Sequence, residues 1–119
     1  MDSSVKFIPY DGDIYGLQAN ENYLVFRWAG SGKVLFSVTR KGDAAYAHFI
    51  SDKGGLRHIK QAFSDFIEFT FWLFDWCKMV LATTDKPSIG RVLLKCGFSR
   101  VAESEGVTLY MRWNDGRNR

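Results

Sequence analysis

The feature that most limits how this chain can fold is a change of hydrophobic period near its middle. From residue 56 to about 77, Leu56, Ile59, Phe63, Phe66, Ile67, Thr70 and Phe74 recur mostly at steps of three and four. That spacing draws one apolar face along a helix. Phe69, Phe71, Trp72, Leu73 and Trp76 widen the face, so the helix is expected to lie deep in the packing with both tryptophans in the core. Directly after it, Met79-Val80-Leu81-Ala82-Thr83 is a nearly continuous apolar run of strand length. Such a run is the pattern of a buried parallel strand. A deep helix that feeds a buried strand needs a sheet on which both can pack.

The flanking sequence supplies that sheet. Residues 5–10 read as a short strand, at an edge because Pro9 has no amide hydrogen to give. Asp11-Gly12-Asp13 is a turn signal, and residues 13–22 have no period and read as loop. Residues 23–29 and 33–39 are rich in aromatic and β-branched residues and are joined by Gly30-Ser31-Gly32, a hairpin-type connection. Residues 44–50 form a further strand, ending before Ser51-Asp52-Lys53-Gly54-Gly55. Beyond the apolar run, Lys86-Pro87-Ser88 opens a second, shorter helix with residues 88–95 as its body. Pro87 suits a first-turn position, and Gly97 suits the left-handed end. Residues 99–102 and 107–113 then pair around Ser104-Glu105-Gly106. The order is β-β-β-β-α-β-α-β-β, a single mixed α/β (α+β) domain over residues 1–119 with a mostly antiparallel sheet and two main helices.

Composition narrows the function classes. Folding 119 residues buries roughly two-thirds of the chain's surface, enough for a core without disulfide staples. The two cysteines, Cys77 and Cys96, sit in apolar surroundings without a CxxC or a nearby His. They read as buried free thiols of a cytosolic protein, not as zinc ligands. The net charge of +3 is spread without a Lys/Arg block, which argues against nucleic acid and suits an anionic small ligand. A weak nucleic-acid surface at Arg112, Arg117 and Arg119 is the alternative on the basic side. Met1-Asp2-Ser3-Ser4-Val5 lacks the basic and apolar parts of a signal peptide. The apolar stretch of residues 63–82 is broken by Asp65, Glu68, Asp75 and Lys78, so it is not a membrane span. The expectation is a cytoplasmic protein with no membrane contact. Asp65 and Glu68 share a helix face without a His, so no metal site is expected. Trp113 is expected to be partly exposed.

Residues 44–113 are similar in order to the common core of the GNAT N-acetyltransferase superfamily. The most specific element is Asp85-Lys86-Pro87-Ser88-Ile89-Gly90-Arg91-Val92-Leu93-Leu94-Lys95-Cys96-Gly97-Phe98. It resembles the family's Asn-Pro-type helix start and its amphipathic helix ending in Lys-x-Gly-Phe. The final hairpin, closing on Leu109-Tyr110-Met111, also looks like the family's last strands. Where the family inserts one or two helices between its first strands, only residues 11–22 are available. This is similar to reduced versions found among phage and mobile-element proteins, for which a host cytoplasm is implied.

The resemblance implies acetyl-CoA as the acetyl-donating substrate and an amine on a protein or small molecule as the acceptor. It places the backbone of His48, Phe49 and Ile50 along the pantetheine arm. Lys53, Gly54, Gly55 and Arg57 fall beside the pyrophosphate, with Ser88 and Arg91 on the second helix. The family's phosphate loop reads Arg/Gln-x-x-Gly-x-Gly/Ala, and its amides at a helix start receive the phosphates. Here Gly54 fits the first glycine, Ser51 replaces Arg/Gln, Leu56 replaces the second small residue, and Asp52 adds a negative charge. An ordinary turn with a helix cap remains the alternative. The family's frequent Tyr general acid is Leu93, and its common Asn is Lys86. His48 is then the candidate general base, against a packed strand residue. Ser88 is the candidate hydroxyl near the thiol, against a first-turn cap. His58 reads as solvent-facing or a phosphate neighbour. The departures keep a different class open, a non-catalytic GNAT-like protein that binds or inhibits a partner. Small members of the family often dimerise through their last strands, so a homodimer across an exposed edge after Val107 is allowed.

Overall fold

The computed structural model describes residues 6–114. Val5 and the tail arginines Arg117 and Arg119 lie outside them. Among the described residues, seven strands make one sheet in the order β1-β2-β3-β4-β5-β7-β6. They are β1 (Phe7–Pro9), β2 (Leu24–Trp28), β3 (Val34–Lys41), β4 (Ala44–Ser51), β5 (Met79–Thr84), β6 (Ser99–Ser104) and β7 (Val107–Trp113). Only β4 and β5 run parallel; every other neighbouring pair is antiparallel. Three helical segments complete the fold: the single turn α1 (Lys53–Leu56), α2 (Ile59–Leu73) and α3 (Pro87–Lys95). Pro87 stands in the first turn of α3, and Gly97 follows it at φ 91°, as the sequence predicts. Glu105 and Gly106 both take positive φ, which is the two-residue turn that matches strand twist.

Both long helices cover the same face of the sheet. Phe63, Phe66 and Ile67 of α2 and Ile89 and Leu93 of α3 share one cluster with Phe36, Ala45, Ala47, Val80 and Tyr110. Aromatic rings dominate its centre. Phe36 stacks on Phe66 with centroids 4.2 Å apart, and Phe49 meets Phe63 edge-on at 4.9 Å. The opposite face is covered by residues 11–22 only over β3. Leu17 is buried there, Ser37 Oγ donates to the Gln18 carbonyl at 2.6 Å, and Thr39 Oγ1 donates to the Asn22 carbonyl at 3.0 Å.

Several expectations change. The long helix ends at Leu73, not near residue 77. Phe74 leaves it in extended geometry, and its ring packs on Trp76 at 4.9 Å while the Arg40 guanidinium covers Trp76 at 4.5 Å. Trp72 is 64% exposed, because the run Phe71-Trp72-Leu73 surrounds the helix and only one side of it can face the sheet. Asp65, placed on one helix face with Glu68 by the sequence, turns inward. It is buried, and its carboxylate accepts from Trp28 Nε1 at 2.9 Å, Gln61 Nε2 at 2.8 Å and Lys6 Nζ at 3.3 Å. A buried carboxylate persists only with such a set of donors. The open edge beside the last hairpin is β6, with β7 held between β5 and β6. Arg112 is committed within the fold, its Nε donating to the Cys96 carbonyl at 2.9 Å.

The tip of the β2–β3 hairpin seats against α1. Gly32 has φ 76°, and a Cβ there would overlap the backbone of Gly54 and Gly55. Gly42 also has positive φ, yet a Cβ there meets nothing within 4 Å. Gly32→Ala is therefore expected to cost about 3 kcal/mol, combining left-handed strain with overpacking. Gly42→Ala is expected to cost only about 1 kcal/mol. Urea unfolding of the two variants measures the difference.

Candidate functional site

The parallel ladder between β4 and β5 is short. It runs from Ala44 opposite Met79 to Ala47 opposite Ala82. β4 continues to Ser51, paired with β3 throughout, but no longer with β5. The backbone edge of residues 48–51 that faces β5 therefore has no strand beside it. The chain leaves β4 into α1 and leaves β5 into α3, so both continuations turn away at this end. Between them lies a cleft of about 490 Å³, with Phe49, Ile50, Ser51, Ile59, Lys86 and Ser88 among its walls. A smaller cavity of about 40 Å³ lies deeper, where His48, Thr83 and Leu93 join core residues; it shares Phe49 and Ile89 with the cleft.

His48 stands at the point of parting, one residue beyond the last β4–β5 pair. Its ring meets Tyr46 edge-on at 4.6 Å and tilts toward Tyr23 at 5.9 Å. Its Nε2 is buried and accepts or donates no hydrogen bond within the described residues. Burial pushes its pKa down, and the Lys41 charge pushes the same way. Both causes favour the neutral imidazole over the charged form. Across the gap, the Tyr46 hydroxyl lies 3.4 Å from Thr83 Oγ1. Tyr46 and Thr83 were not legible as site residues, although the two threonines that close an otherwise apolar strand at Thr83 and Thr84 were a signal. Ligand sites favour the carboxyl ends of parallel strands.

The remaining candidates divide. Phe49, Ile50 and Ser88 line the cleft; Ser88 is exposed in the first turn of α3. Lys86, read only as a substitute for Asn, lines it too and brings a cation. Lys53, Gly54, Arg57 and Arg91 are exposed and Gly55 is buried, and none of the five is among the cleft's lining residues. His58 is exposed at the break between α1 and α2. Leu93 is buried among core residues.

The glycine turn holds an anion of its own. The Asp52 carboxylate accepts from Gly55 N at 2.7 Å and Lys33 N at 3.0 Å. These two backbone donors hold its pKa below the ordinary carboxylate value. The Lys33 ammonium is turned to the Tyr15 hydroxyl at 2.9 Å. Thus the helix-cap alternative describes Asp52 as it stands. Among the described residues no group of three or more His, Cys, Asp or Glu side chains could hold a metal ion, and no helix is long and apolar enough to cross a membrane.

The lowered His48 pKa has a sign. The unfolded chain binds the proton more tightly than the folded one, so stability rises with pH in this window. It is present above the ordinary histidine value of about 6.5 and is lost as pH falls through the lower folded value. Thermal midpoints of the wild type measured between pH 7 and pH 5 are expected to fall more steeply than those of His48→Gln.

No protein-family model and no curated protein matches this sequence. Solved structures do match the fold. An acetyltransferase from Bacillus subtilis, solved in complex with CoA, superposes with a TM-score of 0.69 at 14% identity, covering 92% of this chain and 98% of that one. A spermidine N-acetyltransferase from Vibrio cholerae gives 0.64 at 12% identity over 79% and 67% of the two chains. The GNAT domain of PAT from S. lividans gives 0.61 at 12% over 82% and 65%. With its one parallel seam, its mostly antiparallel seven-stranded sheet and these neighbours, the chain has the GNAT acetyltransferase fold.

Proposed function

We propose that the protein transfers an acetyl group from acetyl-CoA to an amine on a protein or a small molecule. The observation that carries this reading is the parting of β4 from β5 beside a buried His48 Nε2 that has no hydrogen-bond partner among the described residues. The unpaired backbone of residues 48–51 offers N–H and C=O groups to an extended amide-bearing arm, much as a missing strand would. A cleft of about 490 Å³ with apolar walls at Phe49, Ile50, Ile59 and Ile89 suits such an arm. In this reading, one backbone N–H at the parting point polarises the thioester carbonyl, and His48 Nε2 takes the proton of the attacking ammonium. Acceleration rests mainly on alignment of the two reactants. With Leu93 where the family often has a Tyr, the leaving sulfur takes its proton from water or from the Ser88 hydroxyl.

The fit at the anionic end depends on Asp52. Lys53, Gly54, Gly55 and Arg57 would lie beside the pyrophosphate, with Lys86 and Arg91 contributing charge from α3. Asp52 has to release the Gly55 amide for the phosphates to use it. The same contact favours a second reading, a GNAT-fold protein that docks on a partner without catalysis. Exposed Trp72 and Leu73 at the end of α2 are the surface for that reading. A second copy would pair along β6, whose six residues are all exposed.

Thermal unfolding with acetyl-CoA separates the readings. A ligand at about 100 times its Kd stabilises by roughly 2.7 kcal/mol, which for this size is on the order of 10 °C. A midpoint that stays put at millimolar acetyl-CoA would sink the acetyltransferase reading and leave the docking one. Asp52→Asn removes a negative charge beside the phosphates, worth about 1 kcal/mol at contact distance in water. It is expected to tighten coenzyme A binding roughly five-fold, as read by calorimetric titration, and to leave binding unchanged if the phosphates lie elsewhere.

A further inference from the structure

We propose that this site acetylates its own chain at Lys41. The inference rests on the acetyltransferase reading above and adds an acceptor to it.

Three observations link Lys41 to His48 through the Tyr46 ring. First, the β3–β4 register sets Lys41 opposite Ala44, Thr39 opposite Tyr46 and Ser37 opposite His48. Cross-strand partners share a face, so Lys41, Tyr46 and His48 all stand on the face that the helices leave open. Second, the exposed Lys41 ammonium lies 5.4 Å from the centroid of the Tyr46 ring, within cation–π range. Third, that same ring touches His48 edge-on at 4.6 Å and carries its hydroxyl to Thr83 at 3.4 Å. His48 and Thr83 both wall the deeper cavity at the parting point. One aromatic ring thus connects a primary ammonium to the candidate base. The Lys41 charge is also felt at His48.

Three of the other lysines are engaged elsewhere, whereas Lys86 lines the cleft itself. Lys6 pairs with Asp65, Lys33 bonds Tyr15, and Lys78 pairs with Asp43. Exposed side chains rotate within picoseconds to nanoseconds, and acetylation of Lys41 requires such rotation to carry its ammonium past the Tyr46 ring to His48. The chemistry balances. One proton passes from the Lys41 ammonium to His48 Nε2 and on to solvent. The freed nitrogen lone pair forms a bond to the acetyl carbonyl carbon, and the carbon–sulfur bond breaks with its electron pair leaving on sulfur. The second proton, lost as the amide forms, reaches the thiolate through water. Acetylation then removes the cation from the Tyr46 ring.

The test incubates the whole protein with acetyl-CoA. Intact mass and peptide mapping are followed over time, and the thermal midpoint is read in the same samples. Acetylation of Lys41 is expected at least roughly ten-fold faster than that of Lys78 or Lys95, the gain that holding the reactants together supplies. Its rate constant should not change with protein concentration, as an intramolecular step requires. His48→Gln should abolish the difference while its midpoint still shifts with acetyl-CoA, and Lys41→Arg should gain no more acetyl than the background lysines account for. A midpoint that shifts while Lys41 reacts no faster than Lys95, or faster only in proportion to protein concentration, overturns the proposal and spares the acetyltransferase reading. A midpoint that does not shift removes both.

Discussion

Four residue pairs hold the two halves of this protein in one sheet. The ladder from Ala44 and Met79 to Ala47 and Ala82 is the only parallel contact among the described residues, and the candidate site lies at its end. A parallel pair needs a crossover, and here the crossover is α2. The strand that precedes it and the strand that follows therefore end on the same side. Beyond that end, β4 enters the α1 turn and β5 meets Pro87, which starts a helix. Both strands run on past Ala47 and Ala82, β4 to Ser51 beside β3 and β5 to Thr84 beside β7, but no longer beside each other, and that divergence is the gap. The cleft, the bare backbone edge of residues 48–51 and the placement of His48 are all consequences of it.

The two faces of the sheet are closed to different degrees. Aromatic side chains from α2 seal one side, with Phe36, Phe49, Phe63 and Phe66 in mutual ring contact. Large rings bury much apolar area per residue, which suits a chain of 119 residues. The other side has only the segment of residues 11–22, fastened over β3 by Ser37 and Thr39. That leaves Tyr46, His48 and Thr83 half-buried on the side opposite the helices, with Tyr23 beside the His48 ring.

Much of this was legible in the sequence, because local chemistry dictates it. The period change fixed α2 against β5, Pro9 marked an edge, and Pro87 and Gly97 bracketed α3. His48 entered as a candidate base only through the family resemblance, with a packed strand residue as the alternative. What escaped depends on partners far along the chain. Asp65 looks like a solvent residue until Trp28 and Lys6 are brought to it from 37 and 59 positions away. Trp72 looks like core because hydrophobicity alone does not say which sides of a helix have a neighbour. The Asp52 carboxylate was read as an obstacle to phosphate. Its bond to Gly55 is local, but its bond to Lys33 requires the β2–β3 hairpin to arrive at α1. The length of the β4–β5 ladder is a tertiary quantity, with no signature at either strand.

The strand order carries a consequence for how the protein is made. β1 to β4 form a sequential meander, each strand beside its predecessor. These local pairings can form as soon as residues 7–51 leave the ribosome. The outer edge of β4 then waits, unprotected, while α2 and β5 are synthesised. β5 in turn gains its second neighbour only when β7 arrives, after β6 has been made. Non-local pairings of this kind are slow and expose sticky edges on the way. The edge that waits during synthesis is the one whose last four residues remain bare in the finished fold. The nascent chain therefore presents to any passing strand the same row of amides that stays unpaired with β5 in the finished fold.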